Sequence, residues 1–312
     1  MISEHEPSAA EPSRLWRAGS REIVLDRPIV AGILNVTPDS FSDGGNFFSP
    51  ERAVEHAARM IAEGADIIDV GGESTRPGAT IVDEREEIRR AIPVIREIRN
   101  RFPDVLISID TTKSSVARAA IDAGVDIVND VSAFRLDSEM PRVVRESGCG
   151  AILMHSRGGI EEMATYAHAS YEGDAVAAIV DELVASADAA LEKGVDRDRI
   201  VLDPGFGFSK LSSQSMALLS RLELLVEVGY PVMVGTSRKR FVTEAMLRPS
   251  GNSLENKGAA ALPVEDRDIG TAAMNVAALI RGARIFRVHN VRATRRALDA
   301  VWPVILAPPL DD

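Results

Sequence analysis

The sequence predicts a (β/α)8 TIM barrel, an α/β fold in which eight parallel strands alternate with helices. The chain has 312 residues, a length typical of one barrel domain of this kind. Short apolar runs alternate along it with longer amphipathic segments. Most of these runs are apolar almost throughout, as expected for strands that are buried on both faces of a parallel sheet. One large domain is therefore expected.

Eight apolar runs are the candidate strands. They cover residues 29–36, 66–72, 105–110, 126–131, 150–155, 199–205, 231–237 and 284–290. The segment after the first run is typical of an amphipathic helix. Ser49 is its expected N-cap, Pro50 takes the first helical position and Gly64 ends it. Its expected apolar face consists of Ala53, Val54, Ala57, Ala58 and Ile61.

The alternative fold is an open, doubly wound sheet. Such a sheet normally carries a glycine-rich phosphate loop directly after its first strand. Asn35 and Thr37 stand there instead of a G-x-G-x-x-G pattern, so the barrel is preferred.

Two regions interrupt the regular alternation. Residues 1–20 are expected to form a flexible N-terminal arm, and residues 21–312 the barrel domain. Residues 21–28 are expected to add a short strand that closes the bottom of the barrel. Residues 245–266 are expected to be an irregular insertion or a mobile loop.

Composition and charge argue against several classes of protein. The 47 acidic residues exceed the 36 Lys and Arg residues, and the net charge of −11 argues against nucleic acid or an anionic membrane as a partner. The sequence shows neither a run of about 18 apolar residues nor a secretory-signal pattern, so a cytoplasmic location is expected. The single cysteine, Cys149, is expected to be a small buried residue.

Polar residues stand at the carboxyl ends of the predicted strands. They are Asn35, Asp69, Glu73, Asp110, Asn129, Asp130, His155, Asp203, Ser237, Arg238, Lys239, Arg287 and His289. In a parallel barrel these ends converge on one mouth, where active sites lie. A lone Asp or Asn at such a place is often only a turn residue or a helix cap. Asp69 and Asn129, however, lie within apolar runs, where an unpaired polar group costs about 1 to 3 kcal/mol, so both should have specific partners.

Eight motifs along the chain resemble, in order and spacing, the signature segments of the dihydropteroate synthase family. They are GILNVTPDSFSDGG, GADIIDVGGESTRPGA, SIDTTKSSVARAA, AGVDIVNDVSA, LMH, VLDPGFGFSK, GTSRK and RVHNV. The resemblance runs from about Val30 to Val291, which is the whole predicted barrel.

This resemblance implies a transferase of folate synthesis with the barrel fold. Members of the family join 6-hydroxymethyl-7,8-dihydropterin pyrophosphate to p-aminobenzoate and release pyrophosphate with the assistance of Mg²⁺. Those two small molecules are the expected substrates, and Mg²⁺ is the expected cofactor. A homodimer is expected because family members are commonly dimers. Loss of pyrophosphate leaves a cation that is conjugated with the pterin, which favours a dissociative, SN1-like route.

The resemblance also implies roles for individual residues. The expected catalytic residues are Asp43, Asp110 and Lys239, and the expected metal ligand is Asn35. The expected pterin contacts are Asp110, Asn129, Met154, Asp203, Phe208 and Lys239. The expected pyrophosphate ligands are Arg287 and His289. The expected loop over p-aminobenzoate consists of Thr75, Arg76 and Pro77, joined by Asp43.

Substrate chemistry agrees with these roles. The edge of a pterin presents hydrogen-bond donors and acceptors, so Asp203 can accept from ring N–H groups while Asn129 and Lys239 serve the acceptors. A departing pyrophosphate needs positive charge, which Arg287, His289 and Mg²⁺ would supply. The polar segment after Asn35 is expected to be a mobile lid, hinged at Gly44 and Gly45, that excludes water.

Three positions depart from the commonest form of the family. SRGG follows LMH where a Met-Gln-Gly type sequence is frequent, and Asn290 stands where Asp is usual. Arg240 follows Lys239 where many members have Ser, which bears on the p-aminobenzoate side of the site.

Three alternative functions agree less well with the sequence. A pterin-binding methyltransferase would keep the Asp and Asn pterin contacts but would not need the STRPGA and SRK segments that this chain has. A catalytically silent paralogue should have lost residues from the lids or the phosphate site, and these are retained. A metal hydrolase is disfavoured because closely spaced His and carboxylate ligands are missing from the sequence.

Overall fold

The computed structural model describes residues 15–37, 49–74, 81–247 and 262–307. The described part opens with a two-stranded antiparallel hairpin, β1 (Leu15–Ala18) and β2 (Arg21–Val24). Eight parallel strands follow. They are β3 (Ile29–Asn35), β4 (Ile67–Gly71), β5 (Leu106–Asp110), β6 (Ile127–Asp130), β7 (Gly150–Met154), β8 (Ile200–Asp203), β9 (Met233–Val234) and β10 (Ile285–Val288).

The eight strands close into a barrel. Each pairs with its neighbours in chain order from β3 to β8, and β10 pairs with both β3 and β9. The remaining gap, between β8 and β9, is closed by a parallel bridge from Leu202 to Val232 and by a 2.9 Å bond from Leu202 N to Pro231 O. The predicted barrel is confirmed, and the open doubly wound sheet is wrong.

Ten helices of the described residues surround the strands. They are α1 (Pro50–Ala62), α2 (Glu84–Arg101), α3 (Ser114–Asp122), α4 (Met140–Ser147), α5 (Ala175–Glu192), α6 (Ser212–Ser220), α7 (Glu223–Val226), α8 (Arg240–Leu247), α9 (Val264–Ile280) and α10 (Val291–Leu306). The predicted irregular segment 245–266 therefore overlaps the end of α8 and the start of α9, and residues 248–261 lie outside the described part.

In helix α1, local sequence determines where the helix begins, where it ends and which face is buried. The hydroxyl of Ser49 caps it by accepting from Arg52 N at 3.4 Å, and Pro50 opens it as predicted. Gly64 has φ +99°, a conformation that favours glycine and takes the chain out of the helix. The buried face is Ala53, Val54, Ala57 and Met60. The predicted face is therefore rotated, since Ala58 and Ile61 are only half-buried.

The β1–β2 hairpin packs against the amino-terminal end of the barrel. Trp16 is fully buried, and its Nε1 donates to Arg199 O at 2.9 Å. It lies so close to Gly150 at the start of β7 that a Cβ there would be 3.1 Å from the indole. The short strand predicted within residues 21–28 is present as β2. Residues 15–20, predicted to belong to a flexible arm, are instead part of this hairpin, because Trp16 anchors them; residues 1–14 lie outside the described part.

The core has two main apolar clusters. The larger one fills the space between the strands and the surrounding helices. A second cluster fills the lower barrel interior and continues from the hairpin; it includes Trp16, Ile29, Ile67, Ile127, Ile152, Val201 and Ile285. Because apolar side chains fill the lower interior, polar groups gather at the opposite end. Among the described residues, none of the helices is both apolar enough and long enough to cross a membrane.

Candidate active site

A cavity of about 610 Å³ lies at the carboxyl-terminal mouth of the barrel. It brings together nine of the thirteen residues to which the family resemblance assigns a role, and these nine come from seven different strands or the loops that follow them. They are Asn35, Asp110, Asn129, Met154, Asp203, Phe208, Lys239, Arg287 and His289. The other four, Asp43, Thr75, Arg76 and Pro77, lie outside the described residues, as do Gly44 and Gly45 of the expected lid.

A buried ion-pair network occupies the centre of the mouth. Arg287 Nε lies 2.6 Å from Asp69 Oδ2, and Arg287 Nη2 lies 2.6 Å from Asp110 Oδ2. Burial alone lowers the pKa of an arginine, but the carboxylates of Asp69 and Asp110 raise the pKa of Arg287 above its usual range. Arg287 therefore stays charged and holds two carboxylates in place.

Asp69 and Asn129 have the specific partners that their burial requires. Asn129 Nδ2 donates to both carboxylate oxygens of Asp69, at 3.3 and 3.4 Å, and Ser108 Oγ donates to Asp69 Oδ1. With Arg287, this gives Asp69 three partners inside the mouth. The expectation drawn from the sequence is confirmed, and Asp69 acts as a support that orients Asn129 and Arg287.

Burial shifts the ionisation of three groups in the cavity. It raises the pKa of Asp110 to about 7, although the Arg287 charge acts in the opposite direction. It also raises the pKa of Asp203, whose carboxylate accepts from Gly205 N at 2.8 Å. It lowers the pKa of Lys239 to about 7, against the attraction of Asp203. The mouth thus holds an acid and an amine that both titrate near neutral pH.

One wall of the cavity suits a flat ring. Lys239 Nζ lies 4.0 Å from the centroid of the Phe208 ring and donates to Phe206 O. Phe208 packs against a small apolar cluster that contains Val131, Met154 and Met163. An aromatic face, a methionine and nearby polar groups form the kind of surface that binds a heteroaromatic ring.

The mouth also carries His289 and Ser237. Ser237 Oγ lies 2.9 Å from His289 Nδ1 and accepts from His289 N at 3.1 Å, which fixes the imidazole. The neighbouring Arg238 has φ +58° and directs its guanidinium to Asp268, with bonds of 2.7 and 2.9 Å. Asp268 therefore neutralises the charge of Arg238 within the protein.

Asn290, one of the departures from the family pattern, has a clear structural role. Its Oδ1 caps α10 by accepting from Ala293 N at 3.0 Å, while its Nδ2 donates to Asp268 Oδ2 at 3.0 Å. An Asp at this position would also cap the helix but would place a second carboxylate beside Asp268. The amide suits this environment better.

The residues around Asn35 fit a magnesium ion that is shared with a substrate. Among the described residues, no group of three or more His, Cys, Asp or Glu side chains could hold a metal ion by itself. Mg²⁺ does not need such a cage, because it commonly binds one or two protein oxygens together with phosphate oxygens and water. Asn35 and Asp110 flank Gly71: a Cβ there would lie 3.8 Å from Asn35 Oδ1 and from Asp110 Oδ2. The absence of a side chain at Gly71 leaves space beside both oxygens, although Asp110 Oδ2 already accepts from Arg287 Nη2.

The patterns in the sequence did not identify two lysines near the site, the partly exposed Lys113 and the fully buried Lys210. Lys113 pairs with Glu73 at 2.9 Å and with Glu87 at 2.6 Å, and Glu73 also accepts from Val82 N. Lys210 is fully buried beside the loop that carries Phe208. The available signal was their place within two of the quoted motifs, SIDTTKSS and FGFSK.

The family model "Pterin binding enzyme" matches residues 31–289 of the chain. The chain is 44% identical over 280 residues to the dihydropteroate synthase of Mycobacterium leprae, covering 90% of this chain and 94% of that relative. It is 41% identical to a Xanthomonas albilineans dihydropteroate synthase solved with 4-aminobenzoic acid, with a TM-score of 0.83 over 95% of this chain and all of that one. A structure of the Xanthomonas enzyme with 7,8-dihydropteroate gives a TM-score of 0.80 at 38% identity, with the same shares covered.

Proposed function

The chain belongs to the family of pterin-binding enzymes, and from this premise we propose that it is a dihydropteroate synthase. The reaction joins 6-hydroxymethyl-7,8-dihydropterin pyrophosphate to p-aminobenzoate and yields 7,8-dihydropteroate and pyrophosphate. The observation that carries the proposal is the convergence of Asp110, Asn129, Asp203 and Lys239 on one cavity with an aromatic wall. The 44% identity to an enzyme of that name supports the same conclusion.

The pterin is proposed to lie against Phe208 and Met154. Asp203 accepts from ring N–H donors and Lys239 donates to the ring acceptors, while Asn129, whose Nδ2 donates to Asp69, presents its Oδ1 to a further ring N–H. Asp69 keeps Asn129 in position through the bonds to its amide nitrogen. Because these polar groups are buried, a ligand that lacks the matching donors would leave them unpaired and would bind poorly.

The chemical step is proposed to be dissociative. The bond between the pterin methylene carbon and the pyrophosphate oxygen breaks first, and its electron pair leaves with pyrophosphate. The carboxylate of Asp110 stabilises the resulting cation electrostatically, and the amine of p-aminobenzoate then attacks the carbon and loses a proton. Asp110 suits this role because it lines the cavity and Arg287 fixes its orientation.

The pyrophosphate is proposed to leave toward His289 and Arg287. Two of the bonds from the Arg287 guanidinium go to Asp69 and Asp110 in this structure, so it would have to share its charge between these carboxylates and the phosphate. Asn35 would hold Mg²⁺ together with phosphate oxygens. Bound there, the ion would neutralise negative charge that develops on the leaving group.

The p-aminobenzoate is proposed to lie on the side of Lys239 and Arg240. Arg240 begins α8, lines the same cavity and lies 4.9 Å from the centroid of the Tyr166 ring. A guanidinium at this edge can bond to the carboxylate of the substrate where many relatives offer a hydroxyl. Asp43, Thr75, Arg76 and Pro77 are proposed to complete this side.

A homodimer in the cytoplasm is proposed as the working form. The late helices expose large apolar side chains that a partner copy could cover, notably Ile269, Ile280, Val304 and Leu306 of α9 and α10, each more than 60% exposed. Analytical ultracentrifugation of the wild type and of an Ile269→Asp variant tests this assembly. A monomeric wild type would contradict it.

The decisive experiment is formation of dihydropteroate from the two substrates, with and without Mg²⁺, by the wild type and by Asp110→Ala. Turnover that requires Mg²⁺ and is lost in the variant supports the proposal. A protein that binds the pterin by calorimetry but shows no turnover would be a silent paralogue, and the catalytic roles proposed here would be wrong.

A further inference from the structure

The loop after β8 has a conformation that needs support from outside the loop. Gly205, Gly207 and Ser209 all have positive φ values, of +65°, +73° and +49°. Ser209 is the least favourable of the three, because a residue with a Cβ rarely adopts the left-handed region of backbone conformation. At Gly205 a Cβ would lie 2.0 Å from His155 O, so this loop lies directly against the end of β7. Phe208 is carried between Gly207 and Ser209.

Lys210 provides part of this support from below the loop. Its side chain is fully buried. Its Nζ lies 2.9 Å from Phe208 O, 3.1 Å from Gly205 O and 2.8 Å from His155 Nδ1. The terminal amino group therefore bonds to the backbone on both sides of Gly207 and to the neighbouring strand end. Burial, and after it the charge of Lys239, lowers the pKa of Lys210.

The partners of His155 determine which of its nitrogens accepts from Lys210. The Arg157 guanidinium, and then His155, lower the pKa of Glu182 to about 2, so Glu182 is ionised. His155 Nε2 lies 3.1 Å from Glu182 Oε2 and must carry a proton to bond there. Burial, and then Lys210, lower the pKa of His155 to about 4, so its ring is neutral. Nδ1 is left unprotonated and accepts from Lys210.

The loop after β7 holds Ser209 from the other side. Ser209 N donates to Met163 O at 2.7 Å, and Tyr171 Oη donates to Ser209 O at 2.9 Å. Arg157 N donates to Ser209 Oγ at 3.0 Å, while its guanidinium stacks 3.9 Å from the centroid of the Tyr171 ring. The SRGG departure thus places an arginine side chain that links Glu182 to Tyr171, while the backbone N–H of the same residue donates to Ser209.

We propose that Lys210, held by His155, is a positioning residue that fixes the loop carrying Phe208 and thereby the face of the site that binds the pterin ring. The inference rests on the proposed function, since it assigns the role of Phe208 to pterin binding. Lys239 depends on the same loop, because it donates to Phe206 O and lies over the Phe208 ring. Movement of the loop would therefore weaken pterin binding far more than p-aminobenzoate binding.

Two substitutions of His155 separate positioning from general stability. In His155→Asn, the amide oxygen takes the place of Nδ1 and still accepts from Lys210. In His155→Gln, the amide takes the place of Nε2, keeps the link to Glu182 and loses the acceptor for Lys210. The probe is 6-hydroxymethyl-7,8-dihydropterin, which binds without reacting. Its Kd is measured by calorimetry, and the two substrate KM values by steady-state kinetics; thermal unfolding gives the stability of each variant.

We expect His155→Gln to raise the pterin Kd and KM at least tenfold and His155→Asn to raise them less than threefold, with the p-aminobenzoate KM changed less than threefold in both. Lys210→Met should resemble His155→Gln; if it does not fold, the His155 pair decides. Equal pterin affinity in the two His155 variants overturns the inference, even if both are less stable than the wild type. A wild type that does not bind the probe instead overturns the proposed function, and the inference with it.

Discussion

Arg287 and Asp110, 177 positions apart in the chain, form a 2.6 Å ion pair across the mouth of the barrel. The same guanidinium bonds to Asp69, so one cation fixes the direction of two buried carboxylates. An arginine that was expected only to bind pyrophosphate thus also influences the charge and orientation of Asp110, the carboxylate proposed to stabilise the cation. The two functions are linked, because binding a phosphate at Arg287 would change the field at Asp110.

Replacement of Asp110 by Asn should lower kcat by roughly 100-fold or more, since an amide cannot stabilise a cation as a carboxylate does. The measurement is dihydropteroate formation at saturating substrates. Asp299→Asn, on the exposed side of α10, serves as the control and should leave kcat unchanged. A loss of less than threefold in Asp110→Asn would contradict the proposed role.

The pH profile of kcat/KM should be bell-shaped, with a maximum near pH 7. On the acid side activity falls because Asp110, whose pKa burial raises to about 7, becomes protonated. On the basic side it falls because Lys239, whose pKa burial lowers to about 7, loses its proton.

Arg287→Gln should move the acid limb of that profile to higher pH. The charge of Arg287 lowers the pKa of Asp110, so its removal lets burial raise that pKa further. Arg287→Lys keeps a positive charge and should shift the limb less. An acid limb at the same pH in the wild type and in both variants would show that it does not report Asp110.

Replacement of Asn35 by Ala should weaken Mg²⁺ binding, so that activity requires higher Mg²⁺ concentrations. Since Asn35 is the proposed protein ligand, the Mg²⁺ concentration for half-maximal rate should rise roughly tenfold or more. A titration of activity with Mg²⁺ at fixed substrate concentrations measures this. If the half-maximal concentration does not change, Asn35 is not the ligand.

Replacement of Arg240 by Ser should raise the KM for p-aminobenzoate roughly tenfold, the order expected when a charge-assisted bond is lost. The KM for the pterin pyrophosphate should change less than twofold. Arg240→Lys, which keeps the charge, should have a smaller effect. An unchanged p-aminobenzoate KM in Arg240→Ser would place the substrate carboxylate elsewhere.

Replacement of Trp16 by Ala should lower the free energy of unfolding by about 3 to 5 kcal/mol, because it removes a fully buried indole from the barrel bottom. Denaturant titration measures this. Leu15→Ala, at a neighbouring residue that is 36% exposed, should cost less than half as much. An equal loss of unfolding free energy in the two variants would show that the hairpin is not anchored by Trp16.

Local patterns in the sequence were sufficient to predict the positions of most helices and strands. Continuous apolar runs located seven of the eight barrel strands to within two residues at each end, because a strand buried on both faces needs apolar side chains throughout. The seventh run was the exception: only Met233–Val234 is a strand. Beyond Val234, Thr236 Oγ1 bonds to Asn275 and Ser237 Oγ contacts His289. Contacts between polar side chains therefore replace the backbone hydrogen bonds of a strand there.

The sequence by itself determined the fold class and nine of the residues that line the described cavity, because each follows or lies within an apolar strand and matches a motif of the family. Only the tertiary structure decided how these groups are paired and charged. The ion pairs of Arg287, the bonds around Lys210 and the pKa shifts of Asp110 and Lys239 depend on burial and on contacts between segments far apart in the chain. Such contacts leave no local pattern, since a lysine in a polar loop is usually exposed and becomes buried only where several carbonyl groups converge on it.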